Sequence, residues 1–345
     1  MGKRIAETDI AKGIGIMLVV IGHAFPDSTQ LVSGSFSYIL YRMIYSFHMP
    51  FFFFVSGLVS SGIVGVSNWS EKISQIKKKA MRLLIPYFVI GAIFVPLRII
   101  FGRFARFDYD MSKLYTVFLG NNPCGQLWFL YVLFFFSLTA ILFSTKKNIK
   151  FLLIGSLAVT CLSKFVTVRY DGISWYNSLF MLFFYYLGLF LSQHHDKIYK
   201  YMKPNGLLIA LPSFALSYYG YMMAGEHYLM KILTSVTGIC MLLCLSALVN
   251  KCSACGIKTL LMEIGGYSMD VYIFHSPMGI VWRILILKFL GLGSIVYTLV
   301  YSITGIFGSY LISRFIVRRI SFLKLLLLGM IPERKSKTQK NEISA

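Results

Sequence analysis

Residues Ala11 to Ala24 read AKGIGIMLVVIGHA. Ten uncharged, mostly apolar residues, Gly13 to Gly22, separate Lys12 from His23. The composition around this stretch decides what kind of helix it forms. Hydrophobic residues make up 57% of the 345-residue chain and charged residues only 14%. A soluble chain carries about a quarter charged residues. Too little polar surface is available to cover a water-soluble globule, so the chain reads as a polytopic membrane protein. The excess of base, 34 Lys and Arg against 13 Asp and Glu, does not indicate a nucleic-acid partner. The basic residues fall in short clusters between apolar runs, the pattern of orientation in a bilayer.

Spans of about 20 apolar residues predict an all-α transmembrane bundle of about ten helices, near 10–28, 37–62, 83–101, 126–145, 150–168, 175–193, 205–223, 229–250, 267–288 and 293–316. With the N-terminus inside, the cytoplasmic segments carry Lys3 and Arg4, Lys72 to Arg82, Lys146 to Lys150, Lys197 to Lys203, Lys251 and Lys258, and a basic C-terminal region. The external loops carry chiefly Arg98, Arg103, Arg106 and Lys113. The bias puts both termini in the cytoplasm of a multi-pass cell-membrane protein. Residues 1–330 form one transmembrane domain, and 331–345 a polar, disordered cytoplasmic tail. The first apolar run lacks a small-x-small cleavage site and reads as an uncleaved span. Trp69, Trp128 and Trp175, near span ends, fit interfacial anchors. Six scattered cysteines, with Cys252 and Cys255 the single CxxC, do not make a four-ligand metal site.

An ionisable group at a span centre costs about 2.5–3.5 kcal/mol on insertion scales, so each one calls for an explanation. His23 lies about 16 Å from Lys12 along a helix. His48, in YSFHMPFFFFVSG, and His275, in VYIFHSPMG, reach a similar depth from two other spans. One such histidine alone is ordinarily a satisfied core residue. Three at one level, two of them followed by Pro50 and Pro277, shift the pair His23 and His48 toward chemistry. Proline frees a carbonyl one turn back, which helps open a polar cavity, and imidazole moves protons near neutral pH. At the cytoplasmic end, Lys12 faces the run KKKAMRLLIPY, Lys77 to Tyr87, in which Lys79 and Arg82 share a helix face. Lys12, Lys79 and Arg82 together form a candidate clamp for a phosphorylated ligand. Lys77 and Lys78 are read as orientation charges only, and Asp9, one turn before Lys12, orients or neutralises it. Gly57 after Ser56 allows close helix packing. Gln126 and Trp128 sit at the outer face, Glu263 near the cytoplasm and Glu226 in a short external turn. Arg42 and Arg283, near outer span ends, snorkel or contact an external substrate.

DIAKGIGIMLVVIGHA (9–24), FHMPFFFFVSGLV (47–59), KKKAMRLLIPY (77–87), LWFLYVLF (127–134) and IGGYSMDVYIFH (264–275) together resemble the acyltransferase 3 superfamily of integral membrane acyltransferases, in its fucose 4-O-acetylase-like branch. Lys12 and His23 match the family's first-span motif. Its arginine-x-x-arginine motif stands here as Lys79-Ala-Met-Arg82; lysine keeps the charge and loses the bidentate fork. The resemblance implies an acyl-CoA donor on the cytoplasmic side and acylation of a sugar hydroxyl at the outer face. The partners implied are acetyl-CoA as substrate, a carbohydrate acceptor in a surface polysaccharide or its lipid-linked precursor, and glycan-assembly proteins; no metal is implied. Many relatives carry a fused extracytoplasmic hydrolase-like domain, and the expectation here is a chain that completes transfer alone or with a partner. In this reading Lys12, Lys79 and Arg82 hold the donor, His23 is the base, and His48 is a second catalytic residue. External residues Arg103, Arg106, Asp108, Asp110, Asn121 and Asn122 are candidate acceptor contacts. The rival is a multi-span transporter, which would show paired halves with matching broken helices; no such symmetry is visible.

Overall fold

A computed structural model describes residues 6–25, 31–101, 109–165, 175–194, 203–225, 227–252, 256–291 and 293–331. Among them the regular structure is helical throughout: α1 (Ala6–Ala24), α2 (Phe36–Leu58), α3 (Trp69–Phe101), α4 (Trp128–Phe143), α5 (Ile149–Leu162), α6 (Trp175–Phe180), α7 (Leu182–Ser192), α8 (Leu207–Met223), α9 (Tyr228–Lys251), α10 (Gly256–Gly266), α11 (Ser268–Trp282), α12 (Ser294–Ile303), α13 (Ser309–Ile312) and α14 (Ser321–Leu328). Wider π-helical turns extend α11 over Arg283–Phe289 and join the last segments at Thr304–Gly308 and Ser313–Val317. Of the residues named above, Lys3, Arg4, Arg103, Arg106, Asp108, Lys197, Lys200, Glu226, Cys255, the side chain of Trp175 and the tail from 332 lie outside the described residues.

Helix α1 is the hub, packing against α2, α9, α10, α11 and α12. Its Ile10, Ile16, Val19 and Val20 are buried on several sides at once, so its apolar run faces protein more than lipid. Two crossings depend on glycine. A Cβ on Gly13 would run into the Leu261 carbonyl, and one on Gly265 into the Asp9 carbonyl, so α1 and α10 meet backbone to backbone. Gly57 and Gly188 do the same for α2 and α7, against Tyr185 and Phe54. Small residues serve this purpose where lipid removes the hydrophobic drive between helices. The outward faces carry large apolar side chains in the open, among them Phe36, Ile99, Phe143, Phe151, Leu208, Leu216 and Phe315. Exposed apolar side chains in such number suit a lipid-facing surface.

Among the described residues five helices are long and apolar enough to cross a bilayer: Trp69–Phe101, Gly125–Phe143, Pro204–Met223, Tyr228–Lys251 and Ile295–Val317. Four of them coincide with expected spans. The third differs, because α3 begins fourteen residues before the apolar run at 83 and carries the basic residues Lys72 to Arg82 as helix. The expected sixth span is broken at Met181 into α6 and α7, and the fifth ends as α-helix at Leu162. Pro50 does not open a cavity. It removes the N–H that would pair with the Ser46 carbonyl, and that carbonyl accepts from Ser235 Oγ at 2.8 Å, tying α2 to α9.

Candidate active site

Two cavities lie along α1. The inner one, about 120 Å³, is lined by Lys12 and Val19 from α1, Met49, Phe52, Val55 and Ser56 from α2, Leu83 from α3, Phe129 and Leu133 from α4, and Ser268, Met269 and Tyr272 from α11. Its charged liner is Lys12; the rest is apolar or hydroxyl-bearing. Lys12 Nζ pairs with Asp9 Oδ1 at 2.5 Å, one turn earlier on the same face, with about a quarter of the lysine side chain exposed. The contact is the expected one between Asp9 and Lys12, and it serves equally to orient or to neutralise the lysine.

The other two basic residues of the expected clamp flank this cavity without lining it. Lys79 Nζ donates to Ser60 Oγ at 3.0 Å, and Arg82 Nη1 donates to the Leu328 carbonyl at 2.5 Å. Leu83, which follows Arg82, and Val59, which precedes the Lys79 partner Ser60, are on the cavity wall, and this puts both cations beside the cavity that Lys12 lines. Lys77 and Lys78 are exposed, in keeping with a role in orientation alone. The sequence reading missed the anion that neighbours Arg82. Asp270 is fully buried, and Arg318 binds it through Nε to Oδ2 at 2.7 Å and Nη2 to Oδ1 at 3.1 Å. Ser313 Oγ also donates to Asp270, and the Arg318 guanidinium lies 3.7 Å from the Tyr267 ring centre. Asp270 and Arg318 act electrostatically on Arg82. Glu263, predicted near the cytoplasm, pairs with Arg314, which also donates to Tyr310.

The outer cavity, about 420 Å³, is lined by His23, Tyr41, Tyr45, Arg98, Asn121, Asn122, Cys124, Gln126, Trp128, Ser276, Arg283, Tyr297 and Tyr301, with Phe94 and Tyr109. Aromatic faces, amides and two guanidinium groups make a surface suited to a polar, hydroxyl-rich ligand. Arg98 is braced by the Pro123 carbonyl at 2.9 Å, and Arg283 lies over the Tyr297 ring. Asn121 and Asn122, expected as acceptor contacts, line this cavity. Asp110 does not: its carboxylate accepts from Ser112 N–H and O–H, capping a short helical turn at Met111–Leu119. Those two donors hold its carboxyl below the usual carboxylate range.

A thin wall divides the cavities. Tyr272 O–H donates to the Gln126 carbonyl, and Gln126 Nε2 donates to the Tyr272 carbonyl at 2.9 Å. The Phe129 ring meets the Tyr272 ring edge-on at 5.5 Å. Tyr272 and Phe129 face the inner cavity and Gln126 the outer.

The three histidines come to one level, though not to one cavity. His23 lines the outer cavity, with Nδ1 3.5 Å from Tyr45 Oη and its ring centre 5.3 Å from that of His275. His275 is fully buried; its Nδ1 is 3.0 Å from the Val271 carbonyl. His48 is buried behind Tyr45, ring centres 4.8 Å apart, with Nδ1 held by the Ile44 carbonyl at 2.8 Å. It lines neither cavity. Tyr45 thus connects His23 and His48. The sequence signal for it was the spacing Tyr41, Tyr45, His48, which places all three on one helix face. Arg42, the other outer arginine considered, stacks over Tyr38.

Comparison with known proteins places these features in a family. Residues 5–314 match the family described as "Acyltransferase domain" (Acyl_transf_3). The chain is similar to the nodulation protein NolL of Mesorhizobium japonicum (25% identity over 215 residues, 60% of this chain and 54% of that protein). It is also similar to NolL of Sinorhizobium fredii (30% over 156 residues, 45% of this chain and 41% of that protein). The chain thus spans about half the length of the curated relatives it matches, and no solved structure matches it. The family match runs from the helix carrying Lys12 and His23 through Asp270 and His275 to Arg314, and the chain belongs to this acyltransferase family.

Proposed function

We propose that this protein is a membrane O-acetyltransferase that moves an acetyl group from cytoplasmic acetyl-CoA to a sugar hydroxyl at the outer face. The observation that carries the proposal is the pair of cavities on one helix: Lys12 in the inner, His23 in the outer, about 16 Å apart at 1.5 Å per residue. A basic mouth suits the phosphates of the donor. The apolar inner cavity suits its uncharged arm. The aromatic and amide-lined outer cavity suits a sugar in a surface polysaccharide or its lipid-linked precursor. The proposed topology is about ten crossings of the cell membrane with both termini cytoplasmic. Such an enzyme works beside glycan-assembly proteins that bring its acceptor.

In the proposed reaction, His23 takes the proton of the acceptor hydroxyl as its oxygen bonds to the thioester carbonyl carbon. The C–S bond then breaks, and the departing thiolate takes that proton to leave as free CoA. General-base catalysis of this kind contributes typically 10²–10⁴-fold, and holding both substrates in line supplies the rest. His48 is the second essential residue of the proposal, and it acts through Tyr45 on the position of His23.

The test is transfer of labelled acetyl from acetyl-CoA to lipid-linked or surface glycan in membranes holding equal amounts of wild type, His23→Ala or Arg82→Ala. The expected result is labelled glycan with the wild type alone. Label with His23→Ala at the wild-type rate removes the catalytic assignment. Uptake of solute without any dependence on CoA would replace the enzyme with a transporter.

A further inference from the structure

The mechanism above leaves one buried group unused. His275 Nε2 is buried and has no hydrogen-bond partner. An unpaired buried nitrogen costs about 1–3 kcal/mol, so its place beside His23 calls for a physical reason. The neighbouring contacts fix its chemistry. The Val271 carbonyl can only accept, so Nδ1 of His275 must be the nitrogen that carries hydrogen. In the neutral ring, Nε2 is then a lone pair and nothing else. The side chains around it are Tyr272 and Tyr301, whose rings pack on its ring, and His23. Tyr272 O–H is spent on the Gln126 carbonyl. The His23 and His275 ring centres are 5.3 Å apart with the planes tilted by 43°, close enough for ring nitrogens to come within hydrogen-bond reach on reorientation.

We propose that His275 is the positioning residue for His23: its Nε2 lone pair accepts a hydrogen bond from His23 Nε2–H and thereby fixes which nitrogen of His23 does the chemistry. The bond is not made in the structure, and the His23 ring must reorient to form it. The tautomers then follow in series. Val271 O holds hydrogen on His275 Nδ1, and His275 Nε2 holds hydrogen on His23 Nε2. His23 Nδ1 is left as the bare base, facing Tyr45 Oη, 3.5 Å away, and the outer cavity. When His23 takes the acceptor proton on Nδ1, the lone pair of His275 steadies the imidazolium. His275 lines neither cavity, so it acts through His23 and touches no substrate. The proposal rests on His23 being the base of the acetyl transfer.

Two measurements test it. The first is steady-state kinetics of His275→Gln and His275→Leu, with folding checked by monodisperse elution and unchanged acetyl-CoA binding. Glutamine places an oxygen acceptor where Nε2 stood; leucine fills the space and accepts nothing. The expected result is a fall of about 100-fold in kcat for leucine with both KM values unchanged, a loss of the size seen when ligand-orienting partners are removed. Glutamine should stay within about tenfold of wild type. Equal losses in both variants, or wild-type kcat in the leucine variant, would overturn the proposal. The second measurement is ¹⁵N imidazole NMR of the wild type in detergent, which needs neither turnover nor a folded variant. His275 should show hydrogen on Nδ1, and His23 should show it on Nε2 with a scalar coupling across to His275. Hydrogen on His275 Nε2 would end the proposal whatever the activity. Absence of acetyl transfer by the wild type would count against the acetyltransferase reading instead, and the tautomers would still be measured.

Discussion

Replacing Asp270 by alanine should unfold the inner mouth from within, and the size of the effect can be worked out. Asp270 is wholly buried and accepts two bonds from Arg318 and one from Ser313. Hydrogen bonds to charged groups are worth about 1.5–3 kcal/mol each, so the two arginine bonds alone amount to roughly 3–6 kcal/mol. Part of that is recovered in the variant. The Arg318 side chain keeps some water, being 24% exposed, and keeps its stacking on Tyr267, worth about 1–2 kcal/mol. A net cost near 3 kcal/mol follows, the lower end of what breaking a buried pair costs. Replacing both partners, Asp270→Ala with Arg318→Leu, leaves no buried charge without a partner and should cost about 1–2 kcal/mol, because swapping a whole buried pair for apolar groups is often close to neutral. The assay is unfolding in mixed micelles titrated with denaturing detergent, for the wild type, each single variant and the double variant. The two single costs should sum to at least 2 kcal/mol more than the double cost, a coupling expected of groups in direct contact. Additive costs would refute the reasoning and make Asp270 an ordinary packed residue.

Two shorter predictions address the packing and the outer cavity. Gly57→Ala and Gly188→Ala should each lower stability by about 1–3 kcal/mol, since a Cβ at either position meets the backbone of the other helix, whereas Gly62→Ala, with open space around it, should leave it unchanged; detergent-melting profiles of the three compare them directly. Arg98→Ala and Arg283→Ala should each raise the acceptor KM about tenfold, the loss of one charged hydrogen bond of about 1.5 kcal/mol, and leave the acetyl-CoA KM alone, while Lys12→Ala should do the reverse.

The helical architecture was legible because lipid removes every alternative: backbone groups in hydrocarbon must pair within their own segment. Four span positions followed directly from apolar length. The break at Met181 was not legible, since MLFFYYLGLF is as apolar as an unbroken helix. The approach of His23, His48 and His275 to one neighbourhood was also readable, because helical rise turns sequence distance into height. Rotation about the helix axis was not. His23 and His275 meet with their rings tilted against each other while His48 sits behind Tyr45, and only neighbouring helices fix that angle. Asp270 was hidden for a related reason. Its partners Ser313 and Arg318 lie more than forty residues further along the chain, and no spacing rule joins them.

The division into two cavities has an energetic logic within the proposed reaction. A phosphate moved into hydrocarbon loses hydration worth tens of kcal/mol on an idealised estimate, far more than any thioester transfer could return. The uncharged arm of the donor gains by entering an apolar cavity, at roughly 25 cal/mol for each Å² buried. The workable arrangement keeps every charge at the mouth and sends only the arm inward, and the inner cavity has this form, with Lys12 as its one charged liner. The same logic gives the wall a task. The hydrogen-bonded pair of Tyr272 and Gln126, backed by Phe129, stands between the apolar cavity and the polar one. Water admitted with the acceptor would otherwise compete for the thioester with the sugar hydroxyl. On the proposed mechanism the wall must part for the acetyl group and close behind it, and the two backbone carbonyls that serve as its acceptors bind α11 to the turn before α4. Transfer is then coupled to a movement between those two elements, while α1 holds both the lysine and the histidine at fixed separation.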